Sequence, residues 1–140
     1  FYNVKYSGLD LEGRRYSITA KEGSNSESNP NVVTMIGVNA TFYFKDDTVL
    51  IIRSGKGVYN NNTLDIVFED NVEASYIGSK LFAEKAEFSN SNNFLIVSQN
   101  VKIIDNRGSM FADELLFDIK EKTLNISANE GEMVKSKIIY

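Results

Sequence analysis

A short strand unit recurs in this chain at a fixed step of 29 residues, and that repeat restricts the fold more than any single motif. Asn71-Val72, an alternating segment, Gly78-Ser79 and Phe82-Ala83-Glu84-Lys85-Ala86-Glu87-Phe88 return in the same order as Asn100-Val101, Gly108-Ser109 and Phe111-Ala112-Asp113-Glu114-Leu115-Leu116-Phe117; Ala83 to Ala112 and Phe88 to Phe117 are each 29 residues. Upstream, Ser54-Gly55-Lys56-Gly57-Val58-Tyr59 precedes the Ala83 to Phe88 unit by the same step. The chain ends also match, Ile18-Thr19-Ala20-Lys21-Glu22-Gly23 against Ile126-Ser127-Ala128-Asn129-Glu130-Gly131. A period of this length marks stacked supersecondary units, none of which buries its apolar face alone. Function is therefore expected on the continuous inner surface that stacking creates.

The composition removes whole classes of chemistry. The 140 residues contain no cysteine and no histidine. Thiol nucleophiles, imidazole bases, zinc fingers and the usual triads are excluded together. A chain without thiols suits an oxidising compartment. Fifteen basic against nineteen acidic residues give a net charge of −4, with no Lys/Arg cluster dense enough to track a phosphate backbone, so nucleic acid is not expected as a partner. No catalytic residue, metal ligand or cofactor is assigned. The length fits one domain, 1–140, that buries roughly 70% of its unfolded surface without a staple. No apolar run approaches the roughly 20 residues of a spanning helix, and no signal peptide is visible.

Strand signals dominate, with β-branched and aromatic residues alternating with polar ones between Gly, Asn, Asp and Ser breaks. Val38, Ala40, Phe42 and Phe44 alternate with Asn39, Thr41, Tyr43 and Lys45, and the turn Asp46-Asp47 leads to a strand from Thr48 to Arg53. Leu64, Ile66 and Phe68 share one face; a turn at Asp70-Asn71 is expected next, then Val72, Ala74 and Tyr76. The pattern continues through Val101, Ile103, Met110, Ala112, Leu115, Phe117, Ile119, Leu124, Ile126 and Ala128. Hairpin tips are expected at Tyr59 to Asn62, Ser89 to Asn93 and Asp105 to Gly108, because Asn and Gly tolerate positive φ. The polar stretch Gly23 to Asn31, with the single proline Pro30, predicts a long mobile loop. Strands at this spacing imply a sandwich or barrel.

The opening run Tyr6-Ser7-Gly8-Leu9-Asp10-Leu11-Glu12-Gly13-Arg14-Arg15-Tyr16-Ser17-Ile18-Thr19-Ala20, an aromatic-x-Gly segment, a Gly-Arg turn and a strand ending in Ala, resembles the start of the periplasmic domain of the LptC family. With the Ala-x-x-Ala-x-aromatic units, nearly the whole chain looks like the LptC, LptA and OstA group of lipopolysaccharide transport proteins, and its Gly-Arg form looks closest to alphaproteobacterial members. The resemblance implies an antiparallel β-jellyroll of two facing, splayed sheets with an apolar groove. It further implies anchoring to the inner membrane by an N-terminal helix missing from this chain. The implied partners are lipopolysaccharide, the inner-membrane ABC transporter that extracts it and an LptA-like jellyroll that receives it, all in the periplasm.

Such a groove must shelter acyl chains while the headgroup stays in water. The expected lining is Val38, Ala40, Phe42, Phe44, Ile66, Phe68, Val72, Ala74, Tyr76, Phe88, Val101, Ile103 and Phe117, although any β-sandwich has an apolar face of this kind in a closed core. Edge strands are the second expectation, since their unpaired N–H and C=O groups can pair with another jellyroll or with a second copy. The edges are placed at Tyr2 to Ser7 or Arg15 to Ala20, with Tyr16 and Ile18 as docking residues, and at Glu132 to Tyr140, with Met133, Val134, Ile138 and Ile139. The pairs Asp46-Asp47, Glu69-Asp70 and Asp113-Glu114, and the bases Arg14, Arg15, Arg53 and Lys56, read as solvated surface. Sequons at Asn39, Asn61 and Asn125 carry little weight in so Asn-rich a chain. Two rivals remain: a structural β-solenoid or adhesin-like repeat without lipid, and a carbohydrate-binding sandwich presenting Tyr43, Tyr59 and Phe82.

Overall fold

The structure is a computed structural model that describes residues 2–9, 13–44, 47–118, 120–121, 123–127 and, as backbone, 136–139. Its strands are β1 (Tyr2–Leu9), β2 (Arg15–Asn25), β3 (Val32–Tyr43), β4 (Val49–Asn60), β5 (Ile66–Tyr76), β6 (Ser79–Ser89), β7 (Phe94–Asp105), β8 (Gly108–Asp118), β9 (Thr123–Ser127) and β10 (Ser136–Ile139). They form one antiparallel sheet in which every strand pairs with its sequence neighbours, from β1 at one edge to β10 at the other. A step of 29 residues is thus one hairpin: it carries β4 onto β6 and β6 onto β8.

Seven of these strands bend at one line. Lys21 of β2 lies opposite Gly37 of β3, and Gly37 opposite Gly55 of β4, each where one pair is missing from an otherwise continuous register. The line continues at Asp70-Asn71, which oppose the single residue Glu84, and at Gln99-Asn100, which oppose the single residue Asp113. Two residues against one is a β-bulge, which bends and twists its strand. Gly37, Asp70, Asn71, Gln99 and Asn100 all have positive φ, between 56 and 69°. Glycine adopts that conformation freely, and Asn and Asp at lower cost than other side chains. At Gly55 an added Cβ would lie 2.5 Å from the exposed Asp70 carboxylate, which would have to turn away.

The aligned bends fold the sheet into two facing layers. The first holds β1 and the halves of β2 to β8 around Arg15–Ala20, Val38–Tyr43 and Val72–Tyr76; the second holds their other halves with β9 and β10. The register makes the folding necessary. Tyr59 pairs with Val33 and Val33 with Asn25, nine residues along β2 from Tyr16, or about 30 Å in a flat strand. Yet the Tyr16 and Tyr59 hydroxyls are 2.8 Å apart.

Two expectations change. Asp70-Asn71 is not a hairpin turn: Ile66 to Tyr76 is one strand with a bulge inside it. A left-handed Asn or Asp serves a turn and a bulge equally well, so the local signal was the same. The long loop at Gly23 to Asn31 is also shorter than expected, because Gly23, Ser24 and Asn25 pair with Met35, Thr34 and Val33. Asn25 Nδ2 donates to the Pro30 carbonyl at 2.8 Å and closes the tip. Asp46, Ile119 and Ala128 lie outside the described residues.

Candidate functional site: an apolar trough with an aromatic rim

The two layers enclose one apolar cluster that runs from β2 to β9. All the predicted lining residues belong to it or pack against it: Tyr76 and Ile103 are half-buried, and the others are buried. The repeat explains the inward set. Ser54, Gly57 and Tyr59 of β4, Ala83, Ala86 and Phe88 of β6, and Ala112, Leu115 and Phe117 of β8 are all buried. Simple alternation would require steps of two. The initial step of three crosses the crease and restores the inward orientation in the second layer.

The last residue of each unit forms a rim. Tyr59, Phe88 and Phe117 stand near the ends of alternate strands in the second layer, and each meets a ring of the first. Tyr59 contacts Tyr6 and Tyr16 with centroids 5.4 and 6.5 Å apart, Phe42 contacts Phe88 at 5.1 Å, and Tyr76 contacts Phe117 at 5.9 Å. Near Tyr16 the closure is also polar. The buried Tyr16–Tyr59 hydroxyl bond is accompanied by Arg14, whose guanidinium donates to Asn93 Oδ1 at 2.7 Å across the mouth. Arg14 was expected on solvated surface and instead spans the opening.

Burial pushes the Tyr59 phenol well above the ordinary tyrosine pKa, and its bond to Tyr16 adds to the shift. A group whose proton is held more tightly in the folded state stabilises fully below the unfolded pKa, about 10 for tyrosine, and loses that contribution as pH rises further. Melting temperatures measured from pH 8 to 11.5 are expected to fall above about pH 10, and less steeply in Tyr59→Phe than in the parent. Equal alkaline slopes in the two proteins would show that this phenol is not held in a dry rim.

Toward β5–β9 the trough is not filled. An apolar cleft of about 70 Å³ lies between Leu50, Ala74, Tyr76, Leu81 and Ile103 on one side and Leu95, Val97, Leu115, Phe117 and Leu124 on the other. Of the predicted lining, Ala74, Tyr76, Ile103 and Phe117 border it. Leu50, Leu81, Leu95, Val97, Leu115 and Leu124 were missed, although the same alternation marks them inward.

Tyr16 and Ile18 lie in β2, which is bonded on both sides, so they are not at an edge; β1 is the N-terminal edge strand. Ile138 and Ile139 lie in β10, at the other edge, and Met133 and Val134 fall outside the described residues. Tyr59 is 3% exposed and therefore cannot serve as a sugar platform. Among the described residues, no group of three or more potential metal ligands comes together.

A comparison with curated proteins finds no match. Among solved structures, the chain is similar to LptH from Pseudomonas aeruginosa, described as the LptA homologous periplasmic component of the conserved lipopolysaccharide transport device. The TM-score is 0.66 at 10% identity, covering 95% of this chain and 99% of that one. At that identity the likeness shows the shared fold, an open antiparallel β-jellyroll. The family described as lipopolysaccharide-assembly, LptC-related, matches residues 1–129, and the chain belongs to that LptC family.

Proposed function

We propose that this chain is a non-enzymatic carrier in lipopolysaccharide transport, holding acyl chains between its two layers and relaying them from an inner-membrane ABC transporter to an LptA-like jellyroll in the periplasm. The observation that carries this reading is the crease. It turns the apolar face of one sheet into a trough running along the direction of strand pairing, toward edges β1 and β10 where another jellyroll can add strands. Membership in the LptC family points to the same cargo.

The magnitudes suit a trough that is closed when empty. The cleft's free space, about 70 Å³, is less than half the ~150 Å³ of a cavity that takes up benzene, so an acyl chain held there requires the layers to part. Four cross-layer ring contacts at about 0.5–1.5 kcal/mol each set a rim cost of roughly 2–6 kcal/mol. Ten buried methylenes return on the order of 8 kcal/mol and re-cover the exposed walls. The Tyr16–Tyr59 and Arg14–Asn93 hydrogen bonds across the same mouth bring the cost to the same order as the gain, which suits a cargo that must leave again.

A structural repeat without lipid is favoured by one observation, the filled interior around Ile18, Ala40 and Ile52, all 0% exposed. Uptake separates the two readings. The purified domain is expected to bind a fluorescent acyl probe that lipopolysaccharide displaces, and a photo-crosslinking residue at Phe42 or Phe68 is expected to capture lipopolysaccharide while one at Tyr43 is not. Absence of probe uptake, or capture only at Tyr43, would leave the structural repeat as the better account.

A further inference from the structure

We infer that Arg14 and Arg15 form a phosphate-binding site on the lip of the mouth, and that a phosphate on the cargo takes over the donor that Arg14 gives to Asn93, releasing that latch. This rests on the acyl-carrier reading above and names the headgroup chemistry that goes with it.

Local sequence places the two guanidinium groups. Gly13, at φ 79°, takes the left-handed conformation that suits glycine and turns the chain into β2. Arg14 stands two residues before the buried Tyr16 and so shares its inward side, whereas Arg15, between them, faces outward. Arg14 accordingly reaches across the mouth to Asn93, at the tip between β6 and β7. The Arg15 guanidinium lies over the outward Tyr43 ring, 4.9 Å from its centroid. Both arginines line one open hollow on the lip, and a wall of that hollow is Phe44, a member of the trough cluster. A group bound there is therefore next to the chains that the trough holds. Among the described residues lining the hollow, the exposed Asp47 is the one carboxylate, so two cations face one anion.

The latch is open to competition because Asn93 offers a neutral oxygen. A guanidinium bonds an ionised oxygen more strongly than a neutral one, and its planar fork takes two phosphate oxygens at once. A phosphate arriving in the hollow thus draws Arg14 away from Asn93 and removes one of the bonds that close the mouth. A chain that carries phosphate replaces the bond it breaks. A neutral chain breaks the same bond with nothing in return. Phosphate on a lipid headgroup and free phosphate offer the same chemistry, so the test includes both.

The intact chain, loaded with a fluorescent acyl probe at low salt, is titrated with dodecyl phosphate and with dodecanol. The phosphate ester is expected to displace the probe about tenfold more tightly, the worth of one hydrogen bond to a charged group. The double variant Arg14→Gln/Arg15→Gln is expected to lose that preference, while Arg53→Gln, at an exposed position on β4, keeps it. Asn93→Gly removes the acceptor and keeps the left-handed backbone, φ 56° in Asn93. It is expected to tighten both ligands and leave the preference intact, an outcome that general destabilisation would not produce. Inorganic phosphate, added at matched ionic strength, assigns the site to free anions if it abolishes the preference and to lipid-borne phosphate if it does not. Equal displacement by ester and alcohol in the parent, a preference that survives in the folded double variant, or one lost equally in Arg53→Gln would overturn the site and leave the carrier reading intact. No binding of probe or of either amphiphile would overturn both.

Discussion

Phe68→Ala is expected to lower the unfolding free energy by about 3–5 kcal/mol, the usual range for a fully buried phenylalanine. Phe68 is 0% exposed in the floor of the trough, and its register partners are Gly57 on β4 and Ala86 on β6. The ring fills space that two small residues leave, and neither neighbour has atoms with which to fill the cavity. Gly57 is itself crowded: an added Cβ would lie 3.0 Å from Val38 Cγ2 and 3.4 Å from Met35 Cε. Domains of this kind hold only about 5–15 kcal/mol in total, so the variant is expected to unfold at a much lower denaturant midpoint with an unchanged slope. A loss under about 1 kcal/mol would mean that the floor collapses freely, and a floor that soft could not act as a fixed wall.

Phe88→Ala at the rim should separate two quantities that usually move together. Phe88 is 5% exposed and contacts Phe42 across the mouth, so its removal is expected to cost about 3 kcal/mol of stability. It also removes one of the contacts that must break before lipid enters. If the empty trough is closed mainly by these rings, affinity for an acyl probe should become roughly two- to tenfold tighter, the worth of one aromatic pair expressed as a population shift. Stability falls while binding improves. Denaturation midpoints and probe titrations on the same samples measure both. Weaker probe binding would show that Phe88 holds the lipid rather than the empty closed state, and the rim would then be a contact surface and not a gate.

Much of this architecture was legible in the chain because its period reports hairpins. Ala83 and Ala112, or Phe88 and Phe117, occupy matching places on alternate strands, and alternation of apolar and polar residues assigned the inner face on both sides of the crease. The crease itself was misread at Asp70-Asn71. A left-handed residue announces that the chain changes direction but not by how much. Only the pairing of Ile66–Tyr76 with β4 and β6 on both sides of the break shows a bend and not a reversal. The edge was misplaced for a related reason: Tyr16 and Ile18 carry the same alternation as an edge strand would, and nothing local shows that β1 lies outside them.

Alternation is a property of neighbours in the chain, with a period of two set by the pleat, so the amino-acid order decides which side chains face the trough within each half of a strand. How far the trough is closed depends on groups distant in sequence, such as Tyr16 and Tyr59, 43 residues apart, or Arg14 and Asn93, 79 apart. Those meetings follow from seven bends falling on one line, a sum over the whole sheet that no segment of the chain contains.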